Sequence, residues 1–269
     1  MTHHQITKPL PHHGDAAHLA IDHVDFAWPG GHHVFRNFSL QVKPGEFVAI
    51  LGPSGCGKTT LLNLLSGFQQ PTRGSVRVNG AAVHPEMPEL GYVFQSPQLF
   101  PWLSALENVR FGLRMEQRLG VAEQNERARQ YLAMVGLEKA AGKLPHQLSG
   151  GMQQRVSLAR TLAMEPTLLL MDEPFAALDA ITRNTMNEET LRLWSELRQT
   201  VVFITHDVDE AVFLADRVVV LGVAPDGIRN VLDIDLPRPR SNRETRRLPR
   251  FLEYRNELME QISLAIHDN

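Results

Sequence analysis

The chain has 269 residues, 43% of them apolar and 21% charged, with a net charge of −3. That length and composition suit one large domain with subdomains and a full core, and the near-neutral charge carries no nucleic-acid footprint. Cys56 stands alone as a cysteine, so no disulfide framework is available within the chain, which fits a reducing compartment.

No run of about 18 or more consecutive apolar residues is present, and no apolar segment of the secretory type follows Met1. Any membrane role is therefore expected to come through a partner. Residues 1–18 are polar and carry His3, His4, His12, His13 and His18. Their spacing matches no defined metal site, and a disordered tail is expected. From Leu19 to Val42 short β-like runs alternate with turns, among them Leu19–Val24, Pro29-Gly30-Gly31 and Phe38–Val42. Pro44-Gly45 turns the chain into Phe47–Leu51, an apolar run that reads as a buried strand.

Gly52-Pro53-Ser54-Gly55-Cys56-Gly57-Lys58-Thr59-Thr60 follows, and Leu61–Leu65 reads as the helix after it. The pattern is G-x-x-x-x-G-K-[ST] between a strand and a helix, the phosphate-binding loop in its proper context. Glycines let consecutive N–H groups turn inward toward phosphate oxygens, and the helix N-terminus adds partial positive charge. Lys58 is placed to reach β- and γ-phosphates and Thr59 to ligate Mg²⁺.

Ser75–Val78, the turn Asn79-Gly80 and Leu90–Phe94 are β-like again. After Gln95 the period changes: Leu106–Leu113, Glu123–Val135 and Met152–Met164 have helical spacing, which predicts a helical subdomain over about 96–165. Thr167–Met171 returns to a buried strand. Ile181–Leu197 reads as a helix, Val201–Thr205 as a strand, Val208–Ala215 as a helix and Val218–Leu221 as a strand. That alternation indicates a parallel sheet. A C-terminal extension over 233–269 opens with Leu236-Pro237-Arg238-Pro239-Arg240. Its arginines read as a solvated or partly ordered tail, with a lipid or membrane-subunit contact as the alternative, and Phe251–Ile266 as an amphipathic helix.

Further motifs surround the loop. Leu168–Met171 delivers Asp172 and Glu173 to a strand end, where Asp172 suits Mg²⁺ and Glu173 suits activation of a water. Leu148-Ser149-Gly150-Gly151-Met152-Gln153-Gln154-Arg155 is a second Ser/Gly loop opening a helix, hence a second anion cradle. One nucleotide does not need two cradles from one chain, so the second is expected to serve a nucleotide held by another copy. His206 at a strand end suits a γ-phosphate contact, and Gln95 suits Mg²⁺ or a water. Trp28 suits adenine stacking or, equally, packing in a small β-layer.

Taken together these residues resemble the ATP-binding cassette (ABC) ATPase family over roughly 19–222. The resemblance identifies Gly52–Thr59 as Walker A, Leu168–Asp172 as Walker B and Glu173 as the catalytic glutamate. It identifies Leu148–Arg155 as the signature, Gln95 as the Q-loop, Ala177-Leu178-Asp179 as the D-loop and His206 as the switch histidine. Trp28 falls where that family has its adenine-stacking aromatic. Met152 stands where many members have Gln. Phe94–Trp102, Asp172–Ala180, Thr205–Ala211 and Leu236–Arg240 look like the importer ATPases of the nitrate/sulfonate/taurine group.

The resemblance implies an α/β P-loop fold: a mostly parallel sheet, an N-terminal antiparallel β-subdomain and an inserted helical subdomain within a cassette domain over 19–232. It implies an ATPase with ATP and Mg²⁺, Lys58, Glu173 and His206 being catalytic. Thr59, Gln95 and Asp172 would hold the metal. Two cassettes, identical or paralogous, would stack head to tail, each ATP lying between one P-loop and the other chain's Ser149–Met152. Permease subunits and a periplasmic or lipid-anchored solute-binding protein would complete an importer of a small anion at the cytoplasmic face of the inner membrane. Phe100, Pro101 and Trp102 would meet the permease, or Trp102 would pack inside the helical subdomain. An exporter, a mechanotransmission complex, a non-transport cassette ATPase and a P-loop kinase are the alternatives.

Overall fold

The computed structural model describes residues 15–267. Its centre is a six-stranded sheet in the order β10-β9-β3-β8-β7-β6. The strands are β3 (Phe47–Leu51), β6 (Leu90–Val93), β7 (Leu168–Asp172), β8 (Thr200–Ile204), β9 (Arg217–Leu221) and β10 (Ile228–Asp233). All neighbours run parallel except β10, which pairs antiparallel with β9. β3 and β8 are buried at every residue, because both faces are covered.

The period-2 alternation of side chains decides what each face meets. Phe47, Ala49, Leu51, Met171, Phe203, Val218 and Val220 belong to a core shared with the helices. Val48, Ile50, Leu170, Val202, Ile204, Val219 and Leu221 belong to a second core. That second core holds α1 (Lys58–Leu65) and a four-stranded antiparallel sheet ordered β2-β1-β4-β5. Its strands are β1 (Leu19–Ala27), β2 (His33–Val42), β4 (Arg73–Val78) and β5 (Ala81–Ala82).

Between β6 and β7 the chain leaves the sheet for α2 (Ala105–Glu116), α3 (Val121–Met134) and α4 (Gly150–Leu162). Ser104 starts α2 with a reciprocal capping box to Glu107, which marks where the period change begins. Beyond the sheet strands lie α5 (Ala180–Leu197), α6 (Val208–Leu214) and α7 (Pro249–His267). Among the described residues no helix is long and apolar enough to cross a membrane.

Two expectations are corrected at the termini. The disordered tail was drawn to residue 18, and its first fourteen residues lie outside the described ones. Ala17 and His18, however, are tied to the sheets. Ala17 is fully buried, donates to Thr167 O at 3.3 Å and accepts from the Thr200 hydroxyl, while His18 N bonds Asn79 Oδ1 at 2.8 Å. The arginines of the extension, expected to be solvated or partly ordered, divide: Arg243, Arg247 and Arg250 are exposed, whereas Arg238 and Arg240 pack on the protein. The buried Arg240 donates to the carbonyls of Val212, Phe213 and Ala215 at the end of α6, and of Ile234 and Leu236. Burial pushes its pKa down to about 10. Arg238 bonds Asp216 at 2.7 Å and lies 4.3 Å over the Trp194 ring. Charge alone predicts solvent; orphan carbonyls at a helix end supply the partners that bring arginine inside.

Candidate functional site

The register places the site. Val93 pairs with Met171, Asp172 with Ile204, Ile50 with Ile204 and Leu51 with Val220. The loops after β3, β6, β7 and β8 therefore leave one edge of the sheet side by side. Carboxyl ends of parallel strands are where such sheets bind ligands. Gly52–Gly57, Gln95, Glu173 and His206 are on those loops, Lys58–Thr60 open α1 and Asp172 ends β7.

Pro53, Ser54, Gly55 and Cys56 form the turn between β3 and α1. Gly57, the N-cap of α1, has φ +101° and no side chain to cap the helix, so the first N–H groups of α1 stay free for a ligand. A Cβ there would also strike Val34 Cγ1 at 2.6 Å, which explains the glycine twice over. Lys58 Nζ donates to the carbonyls of Gly52 and Pro53 at 2.8 and 2.9 Å. These are bonds that a phosphate oxygen would replace. Thr59 is exposed at the start of α1, and Thr60 points into the protein. Burial raises the pKa of the Cys56 thiol and keeps it inert.

Asp172 closes β7. Its pKa is raised by burial and then by the neighbouring Glu173 carboxylate, while Lys58 and the Tyr92 hydroxyl oppose the shift. Tyr92, on β6, is pushed up in turn by burial and by Asp172. Glu173 leaves the strand with φ +40°, an uncommon conformation for a non-glycine residue. Its carboxylate Oε2 meets His206 Nδ1 at 2.9 Å. His206 is exposed; Glu173 is half-buried.

Gln95 is exposed on the turn after β6. That turn is fixed from α4: Gln154 donates to Phe94 O at 3.1 Å, and Arg160 to Gln98 O at 2.7 Å and Pro97 O at 3.1 Å. Asn108, fully buried on α2, ties Phe100, Leu103 and Ser104. The result presents Trp102 72% exposed, outside the helical subdomain rather than packed within it.

Ser149 caps α4, accepting from Met152 N at 3.3 Å, and is exposed with Gly150. Met152 packs partly against the helical core. A Cβ on Gly151 would meet Thr182 Cγ2 at 2.7 Å, so glycine here lets α4 and α5 approach. Among the described residues no hydrogen bond joins Ser149–Met152 to Gly52–Thr60. The structure thus gathers Lys58, Asp172, Glu173 and His206, and leaves the second cradle on a separate surface beside Leu178 and Thr182. Trp28 is 37% exposed at the end of β1, its ring near perpendicular to Phe26 at 5.1 Å. The side chain is open to a ligand and braced from within.

Sequence reasoning missed Tyr92, Arg183 and Asp207. Arg183 bonds three loop carbonyls and Asp207. Nothing in its sequence neighbourhood separates it from an exposed helix arginine.

The donor set fits ATP with a hard divalent cation. The start of α1 offers N–H groups and a lysine for phosphate oxygens, and Thr59, Gln95 and Asp172 bring the oxygen donors that such a cation takes. Among the described residues no three His, Cys, Asp or Glu side chains cluster as a metal cage. Mg²⁺ suits such sparse protein ligation because it keeps waters and phosphate oxygens.

A profile of the ABC transporter family matches residues 35–176. The chain is 45% identical over 245 residues to the bicarbonate transport ATP-binding protein CmpD of Synechocystis, covering 89% of this chain and 87% of that one. It is 43% identical over 263 residues to the nitrate import ATP-binding protein NrtD of Synechococcus elongatus, covering 95% and 96%. A dimeric ATP-binding cassette solved in a post-hydrolysis state with ADP and phosphate superposes with a TM-score of 0.70 at 34% identity, covering 80% of this chain and 98% of that one. Sequence and fold agree on one lineage with the chemistry of the sheet edge, and the chain belongs to the ABC transporter family as an ATP-binding subunit, an ATPase coupled to transport.

Proposed function

We propose that the chain is the ATP-hydrolysing subunit of an importer for a small anion, working in a pair with a second cassette on permease subunits at the cytoplasmic face of the inner membrane. The observation that carries the chemistry is the contact of Glu173 with His206 beside Lys58 and Asp172. The solute class is supported by relatives named for nitrate import and bicarbonate transport.

In this reading Lys58 exchanges the Gly52 and Pro53 carbonyls for β- and γ-phosphate oxygens. Ser54–Thr60 surround the phosphates with N–H groups, Pro53 shaping the turn without one, and Trp28 stacks on the adenine. Thr59, Gln95 and Asp172 would hold Mg²⁺, which would supply positive charge to offset that on the phosphoryl oxygens. His206 occupies Oε2 of Glu173, which leaves Oε1 to accept the proton of the attacking water. His206 Nε2 is the ring atom assigned to the γ-phosphate in this reading. Ser149, Gly150, Gly151 and Met152 serve the ATP of the second cassette, because Ser149 and Gly150 stand exposed at the start of α4 and no hydrogen bond among the described residues ties the four to this chain's own P-loop.

The test is recovery from native membranes with a multi-spanning permease and a solute-binding protein, then uptake in proteoliposomes. Uptake of nitrate, bicarbonate or a sulfonate with ATP inside is the expected result. Recovery without a permease, or turnover that none of these anions stimulates, overturns it.

A further inference from the structure

Two loops must cooperate at this site, one carrying Glu173 and Asp179, the other His206. The Arg183 guanidinium, on α5, lies between them. Nε donates to Phe175 O at 3.3 Å, and Nη2 to Ala176 O at 3.3 Å and Leu178 O at 3.0 Å. Nη1 reaches across to Asp207 Oδ2 at 3.2 Å. Asp207 follows His206 directly. Its other oxygen, Oδ1, caps α6 by accepting from Glu210 N at 3.1 Å, and its own N–H donates to Thr205 Oγ1 at 3.0 Å. Thr205 Oγ1 donates in turn to the buried Glu210.

These contacts close a ring. It runs from Glu173 along 174–178 to Arg183, across to Asp207, back to His206 and through Nδ1 to Glu173 again. Every link but the last lies away from the reacting atoms. The guanidinium plane is what makes the ring possible, since it serves three carbonyls and one carboxylate at fixed angles; an ammonium cannot. The first turn of the same helix sets the neighbouring surface. Asp179 caps α5 and Thr182 packs on Gly151, so a shift of Arg183 reaches the second anion cradle as well.

We propose that Arg183 and Asp207 are a positioning pair that sets the Glu173–His206 contact, so that the two loops respond as one unit to the nucleotide. The contacts of the pair are to loop carbonyls, to each other and to the N-terminus of α6. The pair acts by holding Glu173 Oε1 at the angle an attacking water requires, where a small misplacement is costly in rate. The inference rests on the reading of Glu173 as the base.

The test is a double-mutant cycle on the full chain with Asp207→Asn, Arg183→Met and both together. Asn keeps the helix cap and loses only the ion pair. Each single variant is expected to lower kcat about tenfold with KM for ATP within about twofold and ATP-binding stoichiometry unchanged. The double variant is expected to be no slower than the slower single. Arg183→Lys takes the place of Arg183→Met if the latter does not fold. A kcat within twofold of wild type for Asp207→Asn, or losses that multiply in the double variant, overturns the pair. Glu173→Gln runs alongside as the control. If it still hydrolyses ATP the reading of the base fails, whatever the pair does; if it is inactive while Asp207→Asn is normal, only the pair fails.

Discussion

Glu173 Oε2 lies 2.9 Å from His206 Nδ1, although the two residues sit on different loops 33 positions apart. The contact uses one carboxylate oxygen and leaves the other open. Replacing Glu173 by Gln removes the proton acceptor and keeps the shape. Turnover is expected to fall at least about a hundredfold, the range of a lost general base. ATP affinity is expected to persist and the nucleotide-bound dimer to accumulate. Phosphate release and size-exclusion chromatography measure the two; undiminished hydrolysis refutes the assignment.

Gly151 tests how closely α4 and α5 must approach. Gly151→Ala would drive a Cβ to 2.7 Å from Thr182 Cγ2. Overpacking of this kind costs about 1–3 kcal/mol. Thr182→Ser removes that methyl but keeps the hydroxyl that bonds Asp179. The double variant should recover most of the stability lost by Gly151→Ala in denaturant unfolding. No recovery would mean that the glycine serves something other than this contact.

Glu210 gives the fold a pH dependence. Burial raises its pKa from 4.5 to about 7, with Asp207 adding to the shift, and Thr205, Arg183 and Asn187 opposing it. Between pH 4.5 and 7 the folded chain keeps a proton that the unfolded chain releases. Stability from this group is therefore present at low pH and is lost as pH rises through that window. Glu210→Gln should match wild type near pH 5 and exceed it near pH 8 by up to about 3 kcal/mol. Parallel stability curves across that range would refute this.

Arg240 is the C-terminal counterpart. Arg240→Met leaves the α6 carbonyls without donors, and about 2–4 kcal/mol of stability should disappear. Urea unfolding of the full chain measures it. A loss below about 0.5 kcal/mol would mean that water replaces the guanidinium without cost.

Trp102 should behave in the opposite way. Its side chain is 72% exposed, so Trp102→Ala should leave stability within about 0.5 kcal/mol and basal turnover unchanged. Stimulation by the permease is expected to fall. Full stimulation in the reconstituted complex would rule out Trp102 as part of the docking surface.

The nucleotide chemistry was legible because it is local. The P-loop needs its glycines and lysine at fixed spacing, and the strand before Asp172 announces itself by an apolar run. Helices α2 to α5 and α7 followed their periodicity. β10 escaped notice: Ile228, Asn230 and Leu232 alternate inward only weakly, and one inward residue is polar. Arg183, Asp207 and Tyr92 escaped because their partners lie on other elements.

By itself the sequence determined most of the elements and the order of the loops proposed here for phosphate, metal and base chemistry, since local backbone geometry and side-chain periodicity write those directly. Only the tertiary structure decided which groups meet. Parallel register aligned four strand ends on one edge, and the left-handed turn at Glu173 brought its carboxylate to His206. Packing folded Arg238 and Arg240 of the C-terminal extension onto the end of α6. Charge counts carry no information about such contacts, because whether a guanidinium is solvated or buried depends on carbonyls that the fold leaves without partners.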